Sequence, residues 1–86
     1  MSIQIVAERE TTHGPFRATA RYSQDLKSYI RGVSEWDKLP KAQKEALENI
    51  MQKVARILSG NHFTGDHWYD IAGYAELGAK HCRYED

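Results

Sequence analysis

The chain has 86 residues and a mass of 9.9 kDa, and its twelve Lys plus Arg balance twelve Asp plus Glu. A length below ~150 residues leaves room for one domain, residues 1–86, and excludes a large multidomain enzyme. Electroneutrality gives no overall pull toward DNA, RNA or an anionic membrane.

The remaining composition narrows the class further. No run approaches the ~18 consecutive apolar residues of a membrane span. The segment Met1 to Arg9 lacks the basic start of a secretory signal. One cysteine, Cys82, forms no internal disulfide, which fits a reducing, cytoplasmic setting. Leu, Ile, Val and Phe together fall just under the ~20% mark that accompanies disorder, without the high net charge that completes that signature. The expectation is a folded domain with a thin core. Chains this short bury only ~60–65% of their unfolded surface, so self-association is expected.

In chain order, Ile3, Ile5 and Val6 suggest an extended N-terminal arm over 1–14, closed by the Gly14-Pro15 break. Pro15 suits a first helical turn, and Leu26, Tyr29, Ile30 and Val33 recur at i, i+3, i+4 and i+7. A first helix is predicted over 15–33. Trp36 and Leu39 in the short connection are apolar enough to pack back on it. Pro40 opens a second helix over 40–59, with an apolar stripe of Ala46, Leu47, Ile50, Val54, Ile57 and Leu58. Gly60 suits the left-handed position after it. Asp66 is the predicted N-cap of a third helix over 66–82, whose apolar face reads Trp68, Ile71, Ala72, Ala75 and Ala79. Cys82 continues that face as a buried thiol, while Tyr69 points outward. Short breaks fold such helices back on one another, which gives an all-α, three-helix antiparallel bundle completed by oligomerisation.

Several side chains have functional and structural readings side by side. Asp66 and Asp70 share a helix face, as do Glu45 and Glu48. Paired carboxylates from two helices are how helical bundles hold Mg²⁺ for phosphate chemistry. Glu45 and Glu48, however, point away from the stripe and read as solvated. Asp70 lies beside Lys53 and Arg56 if the second and third helices are antiparallel neighbours. That juxtaposition makes either a structural ion pair or a phosphate or carboxylate site with Arg56 as the fork-shaped donor. His13 and His62 stand in loops, as turn residues or as binding groups. The four histidines lack zinc-ligand spacing, and no P-loop, dinucleotide fingerprint, serine elbow or HExxH is present.

Three segments recur as an ordered trio: Arg9-x-x-x-His13-Gly14-x-Phe16, Lys53-Val54-Ala55-Arg56-Ile57, and Asp66-His67-Trp68-Tyr69-Asp70-Ile71-Ala72-Gly73-Tyr74-Ala75. The trio resembles a family of small phage and prophage proteins of unknown function, over roughly residues 9–82. The first segment departs from that pattern at His13 and Pro15. More distantly, the chain resembles the MazG-type all-α nucleoside triphosphate pyrophosphohydrolases, whose helix hairpin ends in an acidic segment like Asp70 to Ala75. Their magnesium site needs a Glu-Glu-x-x-Glu helix and a Glu-x-x-Asp helix, and here two or more of those ligands are missing.

The resemblance implies a phage accessory protein. It would act by binding, without catalysis and without a cofactor. Its partner would be a nucleotide-type small molecule, held by Arg9, His13, Lys53, Arg56, His62, Asp70 and Tyr74, or a host defence or replication protein. The alternative is a Mg²⁺-dependent pyrophosphohydrolase with Asp66 and Asp70 as metal ligands. A third reading is an oligomeric structural domain whose motifs are core and caps. Charge is unevenly spread along the chain. Residues 1–43 hold seven cations and five anions, and residues 44–86 the reverse, which suits packing of one half on the other within or between copies.

Overall fold

The computed structural model describes residues 15–60 and 62–82, and the predicted arm over 1–14, with Arg9 and His13, lies outside them. The described residues are all-α. α1 spans Phe16–Arg31, α2 Lys41–Leu58 and α3 Gly65–Lys80, with a 3₁₀ turn over Ser34–Lys38 between α1 and α2.

The punctuation follows the residues closely. Pro15 and Pro40 stand one position earlier than predicted, just outside α1 and α2, in extended conformation. Each offers its carbonyl to the helix, to the Thr19 and Lys44 amides at 3.0 Å. Gly60 has φ of 118°, the left-handed turn that a side chain at Cβ disfavours. Its amide donates to the Ile57 carbonyl at 3.3 Å and closes α2. Trp36 is buried as expected, with the Lys44 ammonium 5.9 Å from its ring centroid. Asp66 is not the N-cap. Thr64 holds that position without a side-chain cap bond, and Asp66 sits in the first turn, where a carboxylate opposes the positive end of the helix dipole.

α1 runs antiparallel to α2. Thr19 bonds Ser59 at 2.8 Å at one end, and Arg31 bonds Glu48 toward the other. α3 is also antiparallel to α2. Lys53 meets Asp70, a Cβ on Gly78 would stand 3.6 Å from that of Ala46, and Gln43 reaches Cys82. α1 and α3 have few contacts with each other. At about 100° per residue, the α2 positions that face α1 (48, 55 and 59) and those that face α3 (43, 46 and 53) lie roughly half a turn apart. The helices therefore form an open layer with α2 in the middle.

The two seams of this layer use small or polar residues, which lets the helices approach. Ala46, Ala55, Thr19, Ser23 and His67 are the buried positions of the three helices, and Ala55 is fully enclosed. Predicted core residues instead flank the seams. Tyr29, Val33, Leu47 and Leu58 are exposed, whereas Ile30, Ile50, Val54 and Ile57 are half-buried.

α3 departs furthest from its prediction. His67, Ile71, Tyr74 and Gly78 turn toward α2, and His67 is only 2% exposed. Trp68 is 55% exposed, and Ala72, Ala75 and Ala79 are exposed beside it. Tyr69 is exposed, as expected. Cys82 is exposed rather than buried, with the Gln43 amide donating to its sulfur at 3.2 Å. The rotation has a physical cause. It brings Asp70 to Lys53 and lets glycine at 78 fit against Ala46, which a Trp68-centred packing would not do.

The open layer has two unlike faces. Along the middle of one face, α2 presents Leu47, Met51, Val54 and Leu58 at i, i+4, i+7 and i+11. By helical geometry α1 adds Tyr22, Leu26 and Tyr29 to that side, and α3 adds Trp68 and the three alanines. Along the opposite face α2 presents Glu45, Asn49, Gln52 and Arg56, flanked by Lys27 of α1 and Asp66 and Asp70 of α3.

Candidate functional site

Lys53 and Asp70, two of the residues singled out from the sequence, meet on the polar side of the α2/α3 seam. Lys53 Nζ and Asp70 Oδ2 are 2.9 Å apart. The lysine side chain is 16% exposed and the aspartate 47%, so the cation is shielded by the seam and the anion opens to solvent. Lys53 occupies the edge of the α2 stripe, as its spacing predicted, and its side chain is largely buried while its ammonium meets Asp70. Arg56 follows one turn later, half-buried, with no ion pair among the described residues.

Asp70 and Tyr74 also line a shallow depression of about 200 Å³ along α3, together with Tyr69, Gly73 and Leu77. Gly73 leaves open space between the two tyrosines, with nothing within 4 Å of where a Cβ would stand. Tyr69, Gly73 and Leu77 were not singled out in the sequence. Their spacing of four on one helix is the signal the sequence offers, and an apolar face centred on Trp68 hides it. Tyr74 is half-buried and borders a second, larger groove of about 340 Å³ on the apolar side, with Leu47, Ile50, Ala75 and Gly78.

Other candidates stay apart from this cluster. His62 is exposed in the α2–α3 loop, and its ring centroid lies 4.3 Å from that of Phe63. Its carbonyl accepts the Trp68 indole N–H at 3.2 Å. It forms neither a hydrogen bond nor an ion pair with Lys53 or Asp70. Asp66 is one turn before Asp70 and exposed. No group of three or more His, Cys, Asp or Glu side chains placed to share a metal occurs among the described residues. A magnesium ion at Asp70 would also have to displace the Lys53 ammonium from its carboxylate.

The strongest electrostatic pair lies elsewhere, on the α1/α2 seam. Arg31 forks onto both oxygens of Glu48, Nε to Oε2 at 2.8 Å and Nη2 to Oε1 at 2.7 Å. Glu48 therefore is not the solvated carboxylate its position on the helix suggested. The bidentate hydrogen bond from Arg31 holds its carboxyl below the ordinary range, and the charges of Arg31 and Lys27 add to the effect. The same bond raises Arg31 further above its already high value. Glu45 receives an amide hydrogen bond from Asn49 at 3.1 Å within its own helix.

Two tyrosines beside a glycine gap offer aromatic surface, Asp70 offers hydrogen-bond acceptors, and Lys53 and Arg56 offer cations one turn apart. No helix among the described residues is long and apolar enough to cross a membrane. Comparison of the chain with protein-family models, with curated proteins and with solved structures gives no match in any of the three.

Proposed function

We propose that the protein acts by binding rather than catalysis, as a small phage-type accessory protein that holds a nucleotide-type ligand at the polar edge of α2 and α3. The observation that supports this most is the Lys53–Asp70 pair on the rim of the depression lined by Tyr69, Gly73 and Tyr74. A phosphate would compete with Asp70 for Lys53 and take Arg56 as its second, fork-shaped donor. The freed carboxylate would accept a ribose hydroxyl or a base amine. A base would stack on tyrosine, a contact worth about 1–3 kcal/mol per base in aromatic-lined sites.

Thermal shift against a nucleotide and cyclic-dinucleotide panel, with and without Mg²⁺, tests the proposal. Ligand at about 100 times its Kd stabilises the native state by about 2.7 kcal/mol. The expected result is a raised midpoint for at least one nucleotide, Mg²⁺-independent and lost in Arg56→Ala. Absence of any shift across the panel contradicts it and turns the reading toward a host protein as partner.

Asp66 and Asp70, one turn apart at the start of α3, favour the hydrolase as second reading. Magnesium is commonly held by one or two carboxylates plus substrate phosphates, so an incoming nucleotide would have to complete the site. Pyrophosphate release that requires Mg²⁺ and disappears in Asp70→Ala would support it over simple binding.

A further inference from the structure

The apolar face of the layer plays no part in the site proposed above. A helix buries its apolar stripe against a second layer of structure around a shared core. Here the two seams bury mostly small and polar groups, and the longest apolar side chains point out of the layer instead. Leu58 is 61% exposed, and Tyr29, Leu47 and Trp68 are exposed on the same side. The arrangement is one layer with no opposing layer among the described residues.

We infer that this face is covered by the same face of a second copy of the chain. Area selects this occupant. Three helices about 10 Å apart and about 27 Å long present a face of about 700 Å². Two such faces bury about 1,400 Å², inside the ~1,200–2,000 Å² of a stable interface. Residues 1–14 are too few to do the same, since that length of chain covers about a third of the face.

The charges do not oppose this pairing. Lys27, Asp66 and Asp70 lie on the other side of the layer, and Arg31 and Asp70 are paired within the chain, with Glu48 and Lys53. A twofold axis parallel to the helices lays α2 on α2 of the partner subunit in parallel, so each of Leu47, Met51, Val54 and Leu58 meets its own counterpart. An in-plane axis perpendicular to the helices lays the two α2 helices antiparallel, so Leu47 meets Leu58. In both arrangements the polar edge with Lys53 and Asp70 faces outward on both copies, giving two independent sites.

Cross-linking of the full chain separates these arrangements. In a Cys82→Ser background, Leu47→Cys and Leu58→Cys each place one thiol on the face at positions whose side chains are already exposed. A short bis-maleimide is expected to join a parallel pair within the Leu47→Cys sample and within the Leu58→Cys sample, and an antiparallel pair only where the two kinds of chain are mixed, because the two positions are about 16 Å apart along α2. Sedimentation of the unmodified chain should give a dimer. A dimer that links neither within a variant nor between the two overturns the face. A monomer at high micromolar concentration overturns the inference outright and leaves the face to residues 1–14 or another partner.

Discussion

The two faces of the helical layer are built from the same three helices and differ in almost every physical respect. On one, α2 shows Leu47, Met51, Val54 and Leu58. On the other, half a turn away, it shows Glu45, Asn49, Gln52 and Arg56. The polar face has its charges arranged in specific pairs, Arg31 with Glu48 and Lys53 with Asp70. The apolar face has exposed and half-buried apolar side chains and a groove beside Ile50 and Ala75. The contrast teaches that in a helix with neighbours on two sides, the apolar stripe need not mark the direction of its nearest neighbour. It marks the open side, where the next layer belongs.

The sharpest way to break the contrast is to put the same charge on each face. Leu58→Asp is expected to abolish self-association in sedimentation, while Gln52→Asp leaves it intact and both keep their helical circular dichroism. Equal effects from the two would erase the distinction between the faces. A smaller effect is expected at the seam that both faces share. Ala55 is fully enclosed between helices, so Ala55→Leu overpacks it and lowers stability by about 1–3 kcal/mol in urea unfolding. A neutral result would show that the seam is loose.

On the polar face, Arg56→Ala removes a charged hydrogen-bond donor from the proposed ligand and is expected to weaken nucleotide binding about ten- to a hundredfold by titration. Its effect on unfolding should be slight, because Arg56 has no ion-pair partner among the described residues. The smallest effect belongs to Glu48. Its pKa is lowered in the folded state, so its contribution to stability is complete above the ordinary glutamate value of about 4.3 and fades as pH falls through the depressed one. Glu48→Gln should therefore cost a little stability at pH 7, and the difference from the native chain should close in acid. A gap that persists or widens at low pH would place the benefit in something other than the Arg31 pair.

Much of the fold was legible from spacing. Pro15, Pro40 and Gly60 marked helix ends because each restricts or frees the backbone locally, and no distant contact can override that. Trp36 packed back as its bulk required. The Lys53–Asp70 pair followed from two facts visible in the chain: a short α2–α3 connection, and a cation at the edge of the α2 stripe. What was not legible depended on three-dimensional context. The wheel centred α3 on Trp68, Ala72, Ala75 and Ala79, because it reads apolarity and not contact. The true seam runs through His67, Tyr74 and Gly78, where fit against α2 outweighs hydrophobicity. That displacement moved Cys82 to the surface and brought Tyr69, Gly73 and Leu77 into one depression with Asp70. Glu48 was misread for a related reason. Its partner Arg31 comes from α1, seventeen residues away, and no local pattern joins them.

The central claim is that the polar edge of α2 and α3 binds a nucleotide without consuming it. Equilibrium dialysis of the full chain against each nucleoside triphosphate with Mg²⁺, followed by chromatography of the bound fraction, tests this directly. The account predicts that at least one nucleotide is retained by the protein and recovered chemically intact, and that Arg56→Ala loses the retention. Retention of none, or steady release of pyrophosphate that Asp70→Ala abolishes, would contradict it.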